Sequence, residues 1–361
     1  MKIFIVCRYL GGGGAERVAV NLAHGFLSRG HEVYCIADLE THRSYGIDDR
    51  IHLLPLHRSD ASKPGIVLQA TPNIRRYART YHPDLIIGVM HFCSLASRAA
   101  VVGLGIPVVQ TIHHALESET YKFSPLTIWM DRKTCPLYSK TVLLTEADKK
   151  VLSKWDEKTI VIPNPLTYEP LSQPVTKEKI ILSAGRLDDW SYKGWDVLIR
   201  TAHEIRDFLK VNGWKMLIAG NGKEEAFTLL NQMKREYKVE DIVDFIGYQK
   251  DMLSLYRKAS VFFLSSRSEG LPMVLLEAMS QGCACVATDY KGRTKEIITS
   301  DAEGLLAQPE DYVQLAAHLK EMIENEAKRE TIQKNAIERS KFYSLDHVVD
   351  RWERLFELYS K

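Results

Sequence analysis

The sequence predicts an α/β protein built of two consecutive Rossmann-like domains with a cleft between them. Three observations carry that prediction. Short apolar runs alternate with helical patterns along the whole chain. Several of these runs are nearly continuous in Val, Ile and Leu, as in a parallel sheet covered on both faces by helices. The alternation breaks once, at Pro163-Asn164-Pro165 followed by Pro170 and Pro174, and then restarts. At 361 residues the chain is long for one domain and comfortable for two.

In the first half, strands are expected at Lys2–Cys7, Glu32–Ala37, His52–Leu56, Asp84–Met90, Pro107–Ile112, Lys140–Thr145 and Thr159–Pro163. Between the first two lies an amphipathic helix, Ala15 to Arg29, stopped by Gly30. Strand, helix and strand make a right-handed βαβ unit. Beyond the proline-rich linker, strands are expected at Lys179–Ala184, Lys215–Ala219, Val243–Gly247, Val261–Ser266, Cys283–Thr288 and Gly304–Ala307, with helices between them. Ser344 to Tyr359 reads as a last helix, with Val348, Val349, Trp352, Leu355, Phe356 and Tyr359 at helical spacing. The expected domains are therefore 1–165 plus the terminal helix 344–361, and 166–343.

Composition excludes several classes. Hydrophobic residues make up 45% and charged residues 26%, the mix of a soluble globular protein. The net charge of +2 implies no nucleic-acid partner. The charge is uneven: up to Ile162 there are 20 basic and 15 acidic residues, so the first half is mildly basic. That half could hold an anionic acceptor or sit against an anionic membrane, although ordinary solvated surface charge explains the balance equally well. No apolar run reaches the ~20 residues of a spanning helix, and Met1 to Cys7 is too short for a signal peptide. The six cysteines are scattered, mostly in strand-like runs, without zinc spacing, and read as reduced core thiols of a cytoplasmic protein.

Two segments carry chemistry. Gly11-Gly12-Gly13-Gly14-Ala15-Glu16-Arg17-Val18 follows the first strand and opens the first helix, where backbone N–H groups and the helix dipole favour a phosphate. A dinucleotide fold is the rival reading, with Gly11 and Gly13 as the first two fingerprint glycines and Asp38 as the ribose acid. Glu16 stands at the third glycine position, however, where a carboxylate repels a pyrophosphate. A tight turn with no ligand is the plainer alternative. The stronger segment is Ser266-Arg267-Ser268-Glu269-Gly270-Leu271-Pro272-Met273-Val274-Leu275-Leu276-Glu277-Ala278-Met279. Pro272 is expected at the first helical position. Glu269 then lies in the loop, Glu277 about a turn and a half into the helix, and the free N–H groups near Pro272 to Leu275 form an anion site. Two acids flanking such a site suit a ligand with phosphates in the middle and hydroxyls at both ends.

Glu269 and Glu277, with seven residues between, match the E-x7-E motif of retaining GT-B glycosyltransferases of the family 4 type. Three further features match in order: Gly11 to Val18 resembles the G-G-A-E-R-V opening, Gly185-Arg186 with Lys193-Gly194 resembles the donor-phosphate signature, and Phe245-Ile246-Gly247-Tyr248 resembles the F-x-G strand end. The resemblance covers nearly the whole chain and is closest to bacterial enzymes that extend lipid-linked or surface glycans. It implies a donor site of Gly13, Gly14, Gly185, Arg186, Lys193, Gly247, Tyr248, Glu269, Gly270, Leu271, Pro272, Met273, Val274 and Glu277. It implies His113 as the histidine that contacts the transferred sugar, with the adjacent His114, where the family usually has Asp, as the alternative. The loop between Arg186 and Lys193 is longer than the family pattern.

The expected reaction is transfer of a hexose-type unit from a nucleotide diphosphate sugar, UDP being the expected nucleotide, to a glycan or lipid-linked glycan hydroxyl. The resemblance implies retention of configuration, with the leaving phosphate taking the acceptor proton. Arg186 and Lys193 would stabilise the leaving diphosphate without a metal. Glu269 would bind sugar hydroxyls beside the Gly270 and Leu271 backbone, Glu277 the ribose, and Gly247 and Tyr248 the base. The catalytic set is then His113, Glu269, Arg186 and Lys193, with no metal and no cofactor. A nucleotide-sugar epimerase on the same scaffold and a non-catalytic nucleotide-sugar-binding subunit are the other two readings.

Overall fold

The computed structural model describes residues 1–40, 45–56, 63–117 and 125–359. Along the chain the strands are β1 Lys2–Val6, β2 Glu32–Ala37, β3 His52–Pro55, β4 Leu85–Val89, β5 Val108–Thr111, β6 Lys140–Leu143, β7 Thr159–Val161, β8 Glu178–Ala184, β9 Lys215–Ala219, β10 Val243–Gly247, β11 Ala259–Leu264, β12 Ala284–Thr288 and β13 Leu305–Ala307. The α-helices are α1 Gly14–Ser28, α2 Lys63–Tyr81, α3 Met90–Ala100, α4 Pro125–Thr134, α5 Glu146–Val151, α6 Trp190–Lys193, α7 Trp195–Glu204, α8 Arg206–Asn212, α9 Glu224–Glu236, α10 Met252–Lys258, α11 Met273–Ser280, α12 Tyr312–Glu324, α13 Glu326–Ser340 and α14 Leu345–Phe356.

The chain divides into two compact units, Met1–Thr167 with Tyr343–Lys361, and Tyr168–Phe342. The first holds a seven-stranded sheet in the order β3-β2-β1-β4-β5-β6-β7, and the second a six-stranded sheet in the order β10-β9-β8-β11-β12-β13. Every pairing is parallel. In both sheets the winding reverses beside the first strand, between β1 and β4 and between β8 and β11. Loops leaving the carboxyl ends of these strand pairs form the crevice where open α/β sheets bind ligands.

Burial explains the apolar runs. Residues of β4, β11 and β12 are buried along their whole length, as helices on both faces require. The second unit closes over a core that includes Trp195, Ile218, Val261, Phe263 and Leu319. All six cysteines are free and buried. Among the described residues no helix is long and apolar enough to cross a membrane.

Helix α14 returns to the first unit. Ser344 caps it, its hydroxyl accepting from the His347 amide. Its face of Val348, Val349, Trp352, Leu355 and Phe356 is buried against α1. Phe26 packs edge-on to Trp352 and Phe356, with ring centroids 5.9 and 5.1 Å away. Gly25 is required there, because a Cβ would stand 2.5 Å from Val349 Cγ2.

Most element ends fall within two residues of the sequence expectation, and two of the differences have a backbone cause. Met90 does not finish β4 but opens α3 with φ 66°, a left-handed conformation that turns the chain abruptly from strand to helix. Pro272 precedes the helix as its N-cap, with ψ 99°, instead of occupying the first helical position.

Candidate active site

In the second unit the residues singled out from sequence follow β8, β10 and β11, beside the loop that leaves β9. Tight backbone contacts hold those loops together. A Cβ at Gly220 would collide with the Gly185 carbonyl, and one at Gly194, whose φ is 65°, with the Ser265 carbonyl. Gly185 itself lies under Trp195 and the Lys193 stem, with Lys193 Cδ 3.3 Å from where its Cβ would be. The Lys193 stem therefore crosses the end of β8 on its way from the short helix α6.

There Lys193 Nζ donates to Glu269 Oε1 at 2.7 Å, and Ser266 Oγ donates to the same oxygen at 2.7 Å. Glu269 is 8% exposed. A carboxylate so enclosed calls for a cation and hydrogen bonds to offset its lost hydration, and both are present. Arg186 is exposed at the end of the β8 loop, its carbonyl accepting from the Trp195 indole at 3.1 Å.

Beyond Glu269 the chain passes through buried Gly270, Leu271 and Pro272 into α11. No side chain caps the first turn of that helix, so the amides about Met273 and Val274 present the positive end of the dipole. Glu277 is half-buried, and its Oε2 accepts from the buried Tyr256 hydroxyl at 3.0 Å. Burial first, and the Glu277 charge second, push the Tyr256 phenol well above its ordinary pKa, so it stays a donor. Gly247 ends β10 with φ 69° and an open Cβ side, its carbonyl accepting from the Gly220 amide at 2.9 Å; Tyr248 beside it is 70% exposed.

Sequence reasoning quoted Arg267 but gave it no role. It pairs with both carboxylate oxygens of Asp196 at 2.7 Å, binds Glu310, and donates to the Ser191 carbonyl at 2.6 Å. Its backbone amide donates to the Tyr192 carbonyl at 2.9 Å. Arg267 thus ties the segment between Arg186 and Lys193 to the loop bearing Glu269.

In the first unit, the glycine turn is occupied by its own chain. A Cβ at Gly13 would collide with the Glu16 carboxylate, which lies back over the start of α1 and meets the helix dipole. Gly14 is exposed with open space beside it. The Tyr45 hydroxyl donates to the Gly13 carbonyl at 3.1 Å, and the Arg17 guanidinium stacks 3.7 Å above the Tyr45 ring.

His113 follows β5, with Nε2 2.9 Å from Thr111 Oγ1. Burial lowers its pKa to about 4, with His114 adding to the shift and Asn164 opposing it, so the ring is neutral near pH 7. His114 is buried and turns to Asp131 Oδ2 at 3.4 Å. The other Asp131 oxygen accepts from Gln110 Nε2 at 3.0 Å and lies 2.8 Å from His91 Nδ1. This buried cluster joins the ends of β4 and β5 to α4 and takes up His114, while His113, half-buried, lies in the loop after β5. No local motif announces it, since its members come from three segments of the sequence, at His91, at Gln110 and His114, and at Asp131.

Two parallel Rossmann-like sheets, each wound in the same sense from its first strand, define a GT-B protein, and comparison bears this out. Residues 12–169 match the family model described as Glycosyltransferase Family 4, and residues 169–339 the model described as Glycosyl transferases group 1. The chain belongs to these glycosyltransferases and is a transferase enzyme. A GalNAc-alpha-(1->4)-GalNAc-alpha-(1->3)-diNAcBac-PP-undecaprenol alpha-1,4-N-acetyl-D-galactosaminyltransferase of Campylobacter jejuni is 27% identical over 365 residues, covering 98% of each chain. The lipopolysaccharide 1,6-galactosyltransferase of Escherichia coli is 26% identical, covering 70% of this chain and 69% of that one. The crystal structure of Anabaena HepE in complex with UDP and glucose superposes with a TM-score of 0.80 at 20% identity, covering 99% of each chain.

Proposed function

We propose that this enzyme transfers a sugar from a UDP-sugar to a hydroxyl of a glycan or lipid-linked glycan, with retention of anomeric configuration, in the assembly of a bacterial surface polysaccharide or glycoconjugate. The observation that carries the reading is the Lys193–Glu269 pair at the switch point of the second sheet, beside the uncapped start of α11. A carboxylate that can accept from sugar hydroxyls, an ammonium and a helix N-terminus that can hold phosphates, and Glu277 farther along the same helix follow the order of groups in a nucleotide diphosphate sugar. The solved relative holding UDP and the relative acting on an undecaprenol diphosphate glycan support the choice of donor and acceptor class.

In the proposed reaction the bond between the anomeric carbon and the diphosphate oxygen breaks. A bond from the anomeric carbon to the acceptor oxygen forms on the same face, and the acceptor proton passes to the leaving phosphate. Arg186 and Lys193 stabilise the charge that gathers on the diphosphate. An ammonium has three protons, so Lys193 can keep Glu269 and still donate to phosphate. Glu269 and the Gly270–Leu271 backbone hold the sugar, Met273 and Val274 offer amides to phosphate, Glu277 holds the ribose, and Gly247 and Tyr248 border the base. Among first-unit residues, Gly13 and Gly14 are assigned to the donor and neutral His113 to the transferred sugar, on the resemblance of their motifs. The reaction needs no divalent ion. The mildly basic first half suits peripheral contact with an anionic membrane at the cytoplasmic face, where lipid-linked acceptors are exposed.

A screen of UDP-, GDP- and ADP-sugars for slow donor hydrolysis tests the reading. It is followed by proton NMR of the anomeric centre in the product made with a lipid-linked or oligosaccharide acceptor. Hydrolysis of one UDP-sugar and an α product from an α donor are expected. Conversion of the donor to an epimer without acceptor, or an inverted product, overturns it.

A further inference from the structure

The segment Leu187 to Tyr192, between Arg186 and Lys193, has a defined place in the structure. Asp189 precedes α6, whose four residues Trp190–Lys193 fold over the loop that leaves β11. The fold-over is fastened at several points. The Tyr192 carbonyl accepts from the Arg267 amide at 2.9 Å, the Ser191 carbonyl from the Arg267 guanidinium at 2.6 Å, and the Lys193 carbonyl from Ser265 Oγ at 3.1 Å. Asp188 anchors the other end by accepting from the Lys223 amide at 2.8 Å. This is a built part of the site, not a slack insertion.

Fastened in this way, Tyr192 is half-buried on the Glu269 side of the loop. Its hydroxyl hydrogen-bonds with Ser268, the residue before Glu269, and the phenol lies within the electrostatic reach of the Glu269 carboxylate and of Tyr290. Burial first, and the Glu269 charge second, raise the Tyr192 pKa, so the hydroxyl stays protonated at any working pH. The Lys193 ammonium, which with Ser266 donates to Glu269, lies 5.5 Å from the centre of the Tyr192 ring, so the phenol borders the carboxylate assigned to the sugar.

We infer that Tyr192 is a specificity-determining residue of the donor site: its hydroxyl, working beside Glu269, recognises one free hydroxyl on the transferred sugar of the nucleotide diphosphate donor. The inference rests on the donor reading above. A site built to hydrogen-bond a hydroxyl rejects a ligand that lacks it, because its own polar groups are then left unpaired.

The test is a double-mutant cycle between protein and ligand. Wild type and Tyr192→Phe are titrated calorimetrically with UDP, with the UDP-sugar that wild type uses, and with its 3-, 4- and 6-deoxy analogues. Tyr192→Phe is expected to leave UDP affinity within about twofold and to weaken the intact donor about three- to tenfold, the worth of one neutral hydrogen bond. For one deoxy analogue the two losses should not add: removing the sugar hydroxyl costs wild type more than it costs Tyr192→Phe. Losses that add at every position overturn the inference, and so does an intact-donor affinity unchanged by Tyr192→Phe. A structural role alone would weaken all donors alike. Wild type that binds no nucleotide sugar at all marks failure of the donor reading itself, which removes the inference with it.

Discussion

Lys193 and Glu269 meet at 2.7 Å with side chains only 15% and 11% exposed, although 76 residues separate them in the chain. The meeting depends on glycine. Gly194 turns with φ 65° against the Ser265 carbonyl, so any side chain there would push the lysine segment off the β11 loop. Two charges so enclosed stabilise each other only as a pair. Their position therefore reports a demand of the site more than a gain in stability.

Arg186→Ala and Lys193→Ala should separate on this point. Both should lower kcat/KM at least tenfold, because each loses a charge-assisted contact to the leaving diphosphate worth about 1.5–3 kcal/mol. Only Lys193→Ala should also lower the melting temperature, since it strands Glu269, whereas Arg186 is exposed. Rates near wild type in both variants would remove the phosphate site. Equal melting temperatures would remove the structural half of the claim.

Turnover should survive EDTA. With Arg186, Lys193 and the start of α11 offered to the diphosphate, no divalent ion is required to balance its charge. Assay of chelated enzyme in metal-free buffer checks this. Loss of activity that manganese or magnesium restores contradicts it.

Much of this arrangement was legible in the sequence, and the limits have physical causes. Parallel strands buried on both faces announce themselves as unbroken apolar runs, and β11 and β12 are of that kind. Glu269 and Glu277 were legible because strand, loop and helix follow one another within a single segment. Tyr256 was not, because its contact with Glu277 spans 21 residues and joins two helices. Asp131 was not, because its partners His91, Gln110 and His114 come from other segments, and α4 has no marked apolar stripe to point to it. The left-handed turn at Met90 was hidden for another reason: methionine gives no sign of a conformation that glycine or asparagine would advertise.

The Asp131 cluster yields a stability prediction. Asp131→Ala removes the shared acceptor of His91 and Gln110 and the neighbour of His114, all of them buried. The cost is expected to be about 3 kcal/mol, which lowers the melting transition by roughly 6–12 °C for a unit of this size. Asp346→Ala, on a side chain 83% exposed, serves as the control and should melt like wild type. Equal transitions for the two variants would show that the cluster is not a keystone.

His113 should leave a signature in the acid limb of stability. Its folded pKa, about 4, lies below its ordinary value near 6.5, chiefly through burial. Between those two values the unfolded chain binds a proton there that the folded chain does not, so stability falls as pH falls through that window and is level above it. The effect is at most about 3 kcal/mol. His113→Gln should therefore lose less stability than wild type between pH 7 and pH 4.5, read as melting temperature against pH. Parallel curves would place the neutral form of His113 in doubt.

Glu269 and Glu277 should divide the donor between them. Glu277 sits within α11, held by the Tyr256 hydroxyl at 3.0 Å, and is assigned to the ribose that donor and free nucleotide share. Glu269 lies on the loop before the helix and is assigned to the sugar, which only the donor carries. Glu277→Ala should then weaken UDP and UDP-sugar alike, by about ten- to hundredfold for a lost carboxylate–hydroxyl pair. Glu269→Ala should weaken the UDP-sugar by a similar factor and leave UDP nearly unchanged. Tyr256→Phe keeps the ring that packs on Phe262 but removes the hydroxyl from which Glu277 Oε2 accepts. It should therefore reproduce the Glu277→Ala pattern at smaller amplitude, because the carboxylate remains and only its orientation loosens. Calorimetric titration of the three variants with both ligands distinguishes these patterns. If Glu269→Ala harmed UDP binding as much as Glu277→Ala did, the order of the two acids along the donor would be wrong. If Tyr256→Phe weakened only the UDP-sugar, Glu277 would have to face the sugar and not the ribose.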